Sequence, residues 1–240
     1  MVIPPAGESR RLEVAPERFP AWAGTFGERH GQLSADADPA VLVLLAADGS
    51  VAECHIPFPP FPPMAPAWVA PAGALADAVA AHAAAARTVG VLLVRLGGYA
   101  AGVFTGKPPE LASSKAGSRP VHGRSAAGGW SQHRFARRRE KQAARALDAA
   151  AAAAALVFGP YRDRLDAVVL GGDRRAAARL RDDPRLRPYL ALATGRFLTV
   201  PDPRLPVLRD SPRLFRAIRI RLTETVADPE IPSEPGPGVR

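Results

Sequence analysis

The residues whose types and spacing could do chemistry are gathered in one stretch. Gly123, Gly128 and Gly129 are interspersed with Ser125, Ala126 and Ala127, and Trp130, Ser131, Gln132 and His133 follow. Small residues let the backbone approach a crowded target without Cβ clashes, which suits a narrow site walled by RNA. Gln132 carries no titratable proton and cannot be a general base at neutral pH. Its amide can donate to one oxygen and accept from a water, positioning a nucleophile and steadying developing charge. Glutamine is equally an ordinary residue at a helix start. Ser131 reads as an N-cap rather than a nucleophile, since no G-x-S-x-G elbow surrounds it. His122 and His133 have no nearby carboxylate to orient them, and read as phosphate or ribose contacts. Trp130 can either stack on a base or anchor the loop.

Charge surrounds this stretch. Between residues 115 and 145 lie Lys115, Arg119, Arg124, Arg134, Arg137, Arg138, Arg139, Lys141 and Arg145, with Glu140 as the one acid. That is almost the whole excess of the chain, whose formal net charge is +9. A compositional bias toward Ala, Arg, Gly and Pro would have spread it along the chain. Arg134, Arg138, Lys141 and Arg145 recur at helical spacing and form one stripe. Like charges so placed repel by a few tenths of a kcal/mol per pair (~0.2–0.5), and cations in a first turn oppose the helix dipole. A partner rich in phosphate offsets both costs. A solvated basic face is the plainer reading.

The elements that must hold this segment alternate strand and helix after residue 72, so an α/β class is expected, with a mixed β-sheet flanked by helices. Before that, residues 11–14 read as a strand. A helix opened by Pro16 follows, with Phe19, Trp22 and Phe26 on one face. A hairpin of 41–45 and 51–58 comes next, then a proline-rich linker at 57–71. Residues 72–87 read as a helix, 89–96 and 99–104 as a second hairpin across Gly97-Gly98, and 106–130 as a long loop. A helix is expected from about Ser131 to Phe158, with Phe135, Ala144, Leu147, Ala151, Ala154 and Phe158 as its core stripe. Beyond it come a strand at 166–170, a turn at Gly171-Gly172, a helix at 174–181 capped by Asp173, a short strand at 197–200, a helix near 211–217 and a strand at 218–223. The division expected is an N-terminal strand/helix extension with linker (1–70), a main domain (71–226) and a disordered tail (227–240).

Cys54, the lone cysteine, excludes an internal disulfide and any cysteine-based zinc site, and reads as a buried small hydrophobe. The N-terminal residues lack the pattern of a signal peptide. The apolar runs are interrupted too often to suggest a membrane span.

The run from Gly117 through Gly128-Gly129-Trp130-Ser131-Gln132 to Arg137-Arg138-Arg139 resembles the catalytic loop and helix of actinobacterial Vms-like release factors. These are relatives of the middle domain of the eukaryotic and archaeal peptide-chain release factor. In that superfamily a hairpin, a glycine-rich loop ending in Gln and a long basic helix follow one another. The same order runs here from Val89 to Phe158, and the resemblance covers about residues 85–225. It implies a release-factor-like catalytic domain in which Gln132 is the catalytic residue and Gly128 and Gly129 are the loop glycines. It also implies that the helix arginines face RNA. Trp130 and Ser131 separate Gly129 from Gln132, a departure from Gly-Gly-Gln that fits the looser Gly-x-x-Gln of the Vms-like branch. The activity implied is peptidyl-tRNA hydrolysis on stalled large ribosomal subunits. The implied partners are large-subunit rRNA and peptidyl-tRNA, and the protein would be a cytoplasmic, ribosome-associated monomer needing no cofactor, metal or membrane. A nuclease acting near the tRNA 3′ end and a non-catalytic RNA-binding protein are the alternatives.

Overall fold

The computed structural model describes residues 9–62, 71–95, 97–118 and 130–225, with the side chains of 130–139 outside that description. The elements, in chain order, are β1 (Ser9–Val14), α1 (Phe19–His30), β2 (Leu33–Ala37), β3 (Val41–Ala46), β4 (Val51–His55), α2 (Ala72–Ala84), β5 (Val89–Arg95), β6 (Gly98–Thr105) and β7 (Glu110–Ser118). They continue with α3 (Trp130–Phe158), β8 (Ala167–Gly172), α4 (Arg174–Leu180), α5 (Arg187–Leu190), β9 (Ala193–Leu198), α6 (Leu205–Arg209), α7 (Ser211–Phe215) and β10 (Ile218–Thr223).

The fold is α/β, built on two five-stranded sheets rather than one. The first has the order β1-β10-β4-β3-β2 and is antiparallel throughout. One of its faces carries Leu42, Leu44, Cys54, Ile218, Ile220 and Leu222, which pack against Phe19 and Phe26 of α1 and Leu75 and Val79 of α2. Alternate residues of β1, β4 and β10 are therefore polar and turn to the other face. The expected boundary at residue 70 lies between α1 and α2, two helices that share this core, and β10 brings residues from the far end of the chain into the same sheet.

The second sheet, β7-β6-β5-β8-β9, is mixed: β5 pairs antiparallel with β6 and parallel with β8. β5 is buried from Val89 to Val94, as a central strand with both faces covered requires. Its Leu92 and Val94 meet α3 and α4, and its Val91 and Leu93 meet Leu208 of α6 and Phe215 of α7. Phe158, 1% exposed, closes the α3 side, where its ring stands 5.4 Å from that of Tyr189. A Cβ on Gly90 would come within 3.2 Å of that ring, so a glycine in mid-strand leaves room for it. Replacing Phe158 by alanine is expected to cost about 3–5 kcal/mol, read as a lowered urea midpoint with an unchanged slope.

Several expectations are corrected. Residues 106–130 are not all loop, because β7 pairs along β6 from Glu110 to Ser118. It escapes a hydrophobicity pattern because it is an edge strand of mostly small or polar residues, with Leu111 the one large apolar side chain. β2 escapes for the same reason. Gly171 and Gly172 end β8 rather than forming a turn. A Cβ on Gly171 would meet Leu198 and Leu93 at 2.8 Å. Gly172 has φ 98°, and a Cβ there would collide with the Val94 carbonyl. Gly172→Ala is accordingly expected to lower stability by at least the ~1–3 kcal/mol of backbone strain, measured by thermal unfolding. Asp173 does cap α4, accepting from the Ala176 N–H at 2.8 Å. Ala144 is exposed, and the stripe buried in α3 runs instead through Ala143, Ala146, Leu147, Ala150, Ala151 and Ala154.

By length and composition alone the segment Glu140–Arg164 is long and apolar enough to cross a membrane. Half of its apolar window is buried against the sheet, where close-packing alanines cover β6 and β5.

Candidate nucleic-acid interface

The segment holding the candidate residues is set by the second sheet. Ser118, last in β7, pairs with Gly98, which pairs with Arg95 at the end of β5. β7 therefore ends at the carboxyl end of β5. There Gly117 lies under the Tyr99 ring, whose hydroxyl would be 2.6 Å from any Cβ at that position. The chain returns as α3, which runs back over β6 to Phe158 at the start of β5. A helix of 29 residues is about 43 Å long at 1.5 Å per residue, whereas β6 spans only about 27 Å. The helix is thus longer than the sheet beneath it by ~16 Å, about three turns. α3 ends at Phe158, whose ring lies beside Gly90 at the start of β5, so the excess length falls at its N-terminal end.

Trp130, Ser131, Gln132, Arg134, Arg137, Arg138 and Arg139 occupy this overhanging end as helical backbone. Their side-chain positions lie outside the described residues. Arg119, Arg124, Gly128 and Gly129, with His122, fall outside the described residues altogether. Lys141 and Arg145 are exposed on α3 and form no ion pair among the described residues. Asp148, one turn after Arg145, is engaged by Arg185 at 2.8 Å. Hydrogen bonds donated to Asp183 and Asp148 hold the Arg185 guanidinium more firmly protonated than usual, and the same contact lowers the Asp183 carboxyl below its ordinary value. Asp148 is thereby already matched and does not neutralise Arg145.

Sequence reasoning missed a second run of cations. Arg174, Arg175, Arg179, Arg181 and Arg187 are all exposed on and around α4 and α5, and α4 packs beside α3 through Ala176, Ala177 and Leu180. Counting charge in a window at 174–187 would have found it. Glu110, the carboxylate in the expected loop, begins β7 and sits opposite Thr105. Nine residues of strand put it about 26 Å from Ser118 at the other end. Cys54 is wholly buried in β4, and desolvation pushes its thiol far above the ordinary value; it is no nucleophile.

Residues 87–221, more than half of the chain, match the family model described as Actinobacteria/chloroflexi VLRF1 release factor. The chain belongs to this family. The matched span starts just before β5 and ends within β10, so it takes in the whole second sheet and α3. Among solved structures, an archaeal translation termination factor is similar at a TM-score of 0.37 and 11% identity, over 54% of this chain and 36% of that one. No protein of curated function matches. Membership in a release-factor family points to a role in translation termination or ribosome rescue.

Proposed function

We propose that the protein releases nascent peptide from tRNA on stalled large ribosomal subunits, acting in the cytoplasm, with Gln132 at the reacting ester. The observation that carries this reading is a Gly-x-x-Gln element at the overhanging, arginine-rich start of α3, within the span matched to the release-factor family. A thin helical end past the sheet can enter an RNA cavity while the body of the fold stays outside. Arg119, Arg124, Arg134, Arg137, Arg138, Arg139, Lys141 and Arg145 bind rRNA phosphates, and Gly128, Gly129, Trp130 and Ser131 shape the tip.

The Gln132 amide accepts from a water and donates to an oxygen of the ester. The water oxygen bonds to the carbonyl carbon, the bond to the tRNA 3′ oxygen breaks, and that oxygen leaves with a proton delivered through RNA hydroxyls. The protein supplies position and polarity rather than an acid or base, which suits a residue with no titratable proton. No cofactor enters the scheme.

The test is incubation of the purified protein with large subunits carrying labelled peptidyl-tRNA. Free peptide together with tRNA of full length supports hydrolysis. Release of peptide still attached to a tRNA 3′ fragment would establish the nuclease instead, and binding without either product would leave an RNA-binding protein.

A further inference from the structure

The two sheets meet at a cleft of about 810 Å³, walled on one side by the polar face of β1, β10 and β4 and on the other by β9 with Arg174. Its lining is cationic. Arg11, Arg174, Arg196, Arg219 and Arg221 face it, against Glu13.

Three of these arginines serve the fold. Arg219 bonds Glu13 at 2.9 Å, Arg221 bonds Glu53 at 2.8 Å through Nε, and Arg196 donates to the Leu214 carbonyl at 3.0 Å and to two neighbouring carbonyls after it. Burial first, and the Arg219 cation second, bring Arg196 down to about 10. Arg11 and Arg174 have no carboxylate within ion-pair distance among the described residues. Register places Arg11 directly opposite Arg221 on adjacent antiparallel strands; Glu53 on the next strand offsets Arg221, which leaves Arg11 as the cation of this row without a carboxylate among the described residues. Across the cleft, the Arg174 guanidinium lies 4.5 Å from the centre of the Phe197 ring, a flat cationic and aromatic surface of the kind on which bases stack.

We propose that this cleft binds a nucleotide, its phosphate held between Arg11 and Arg221 and its base laid against the Arg174–Phe197 pair. A phosphate alone would leave most of the volume empty, whereas a cavity of this size suits a ligand with an anionic head and a planar body (roughly 300–1,000 Å³). The Arg11–Arg221 end of the site lies on the first sheet, whereas the α3 stripe stands over the second, so different variants address the two. The site stands whether or not the chain hydrolyses peptidyl-tRNA. A free mononucleotide and one residue of an RNA strand share this chemistry.

Calorimetric titration of the full chain with ATP, inorganic pyrophosphate and a short single-stranded RNA tests it without ribosomes. The variants are Arg11→Ala with Arg174→Ala, neither of which breaks an ion pair, and Gly195→Phe, placed where an added Cβ meets nothing within 4 Å. Each is expected to weaken nucleotide binding by about tenfold or more, whereas Lys141→Ala with Arg145→Ala leaves ATP binding unchanged. ATP binding lost in the cleft variants identifies a free nucleotide. RNA binding lost in them, with ATP inert, identifies a strand. Wild-type protein that binds neither probe, cleft variants that bind like wild type, or pyrophosphate that binds as tightly as ATP would overturn the proposal. Urea midpoints of the variants separate loss of the site from loss of the fold.

Discussion

Gln132→Ala is expected to slow peptide release from large subunits by about 10²–10³-fold, the usual cost of deleting one polar group aimed at developing charge. Binding to the subunit should hardly change, because a neutral amide contributes little to phosphate attraction. The informative comparison is release rate at saturating protein against affinity in the same preparation. A fall in rate alone indicates a group that acts in the transition state. Gln132→Glu adds a second reading: a carboxylate can still accept from water but cannot donate, and its charge is repelled by RNA, so it should be at least as slow as alanine. Release at the wild-type rate by both variants would sink the assignment of Gln132. The family membership would stand regardless.

Charge removal from α3 is expected to have the next largest effect, and the opposite signature. Replacing Arg137, Arg138 and Arg139 together by alanine should weaken subunit binding by about ten- to a hundredfold near physiological salt. The slope of log affinity against log salt should become shallower by about 2–3, roughly 0.7–0.9 for each phosphate no longer neutralised. The maximal release rate should be retained once binding is saturated. Lys141 and Arg145, exposed and free of acid partners among the described residues, should add to the effect when substituted. Equal affinity and slope in wild type and variant would mean that the stripe is a solvated helix face.

Much of the route to this site was legible because it is local. A periodic run of alanines with Leu147 and Phe158 reads as a helix by propensity and spacing alone, and α3 runs to Phe158 as expected. Continuous burial of Val89–Val94 follows from an unbroken apolar run, and the hairpin to β6 from Gly97-Gly98. Clustering of charge is also a property of neighbours in the chain. The order of hairpin, intervening segment and basic helix thus follows from short-range patterns, and the span matched to the family takes it in.

What the local patterns could not contain are contacts between distant residues. β7 is built from Glu, Ser, Ala, Gly and Lys with one leucine, and is a strand because β6 offers it a backbone ladder rather than through any preference of its own. β10 belongs with β1, more than two hundred residues earlier in the chain, a pairing that no window can see. That pairing sets Arg11 against Arg221 and joins the sheets around the cleft. The overhang of α3 is likewise relational, since helix length is read from residues but the extent of the sheet beneath it is decided by pairing. Residue types and their spacing determined which chemistry this chain can attempt. Long-range strand pairing, which gains its hydrogen bonds only after the loop entropy is met, decided where that chemistry is presented and what second charged surface stands beside it.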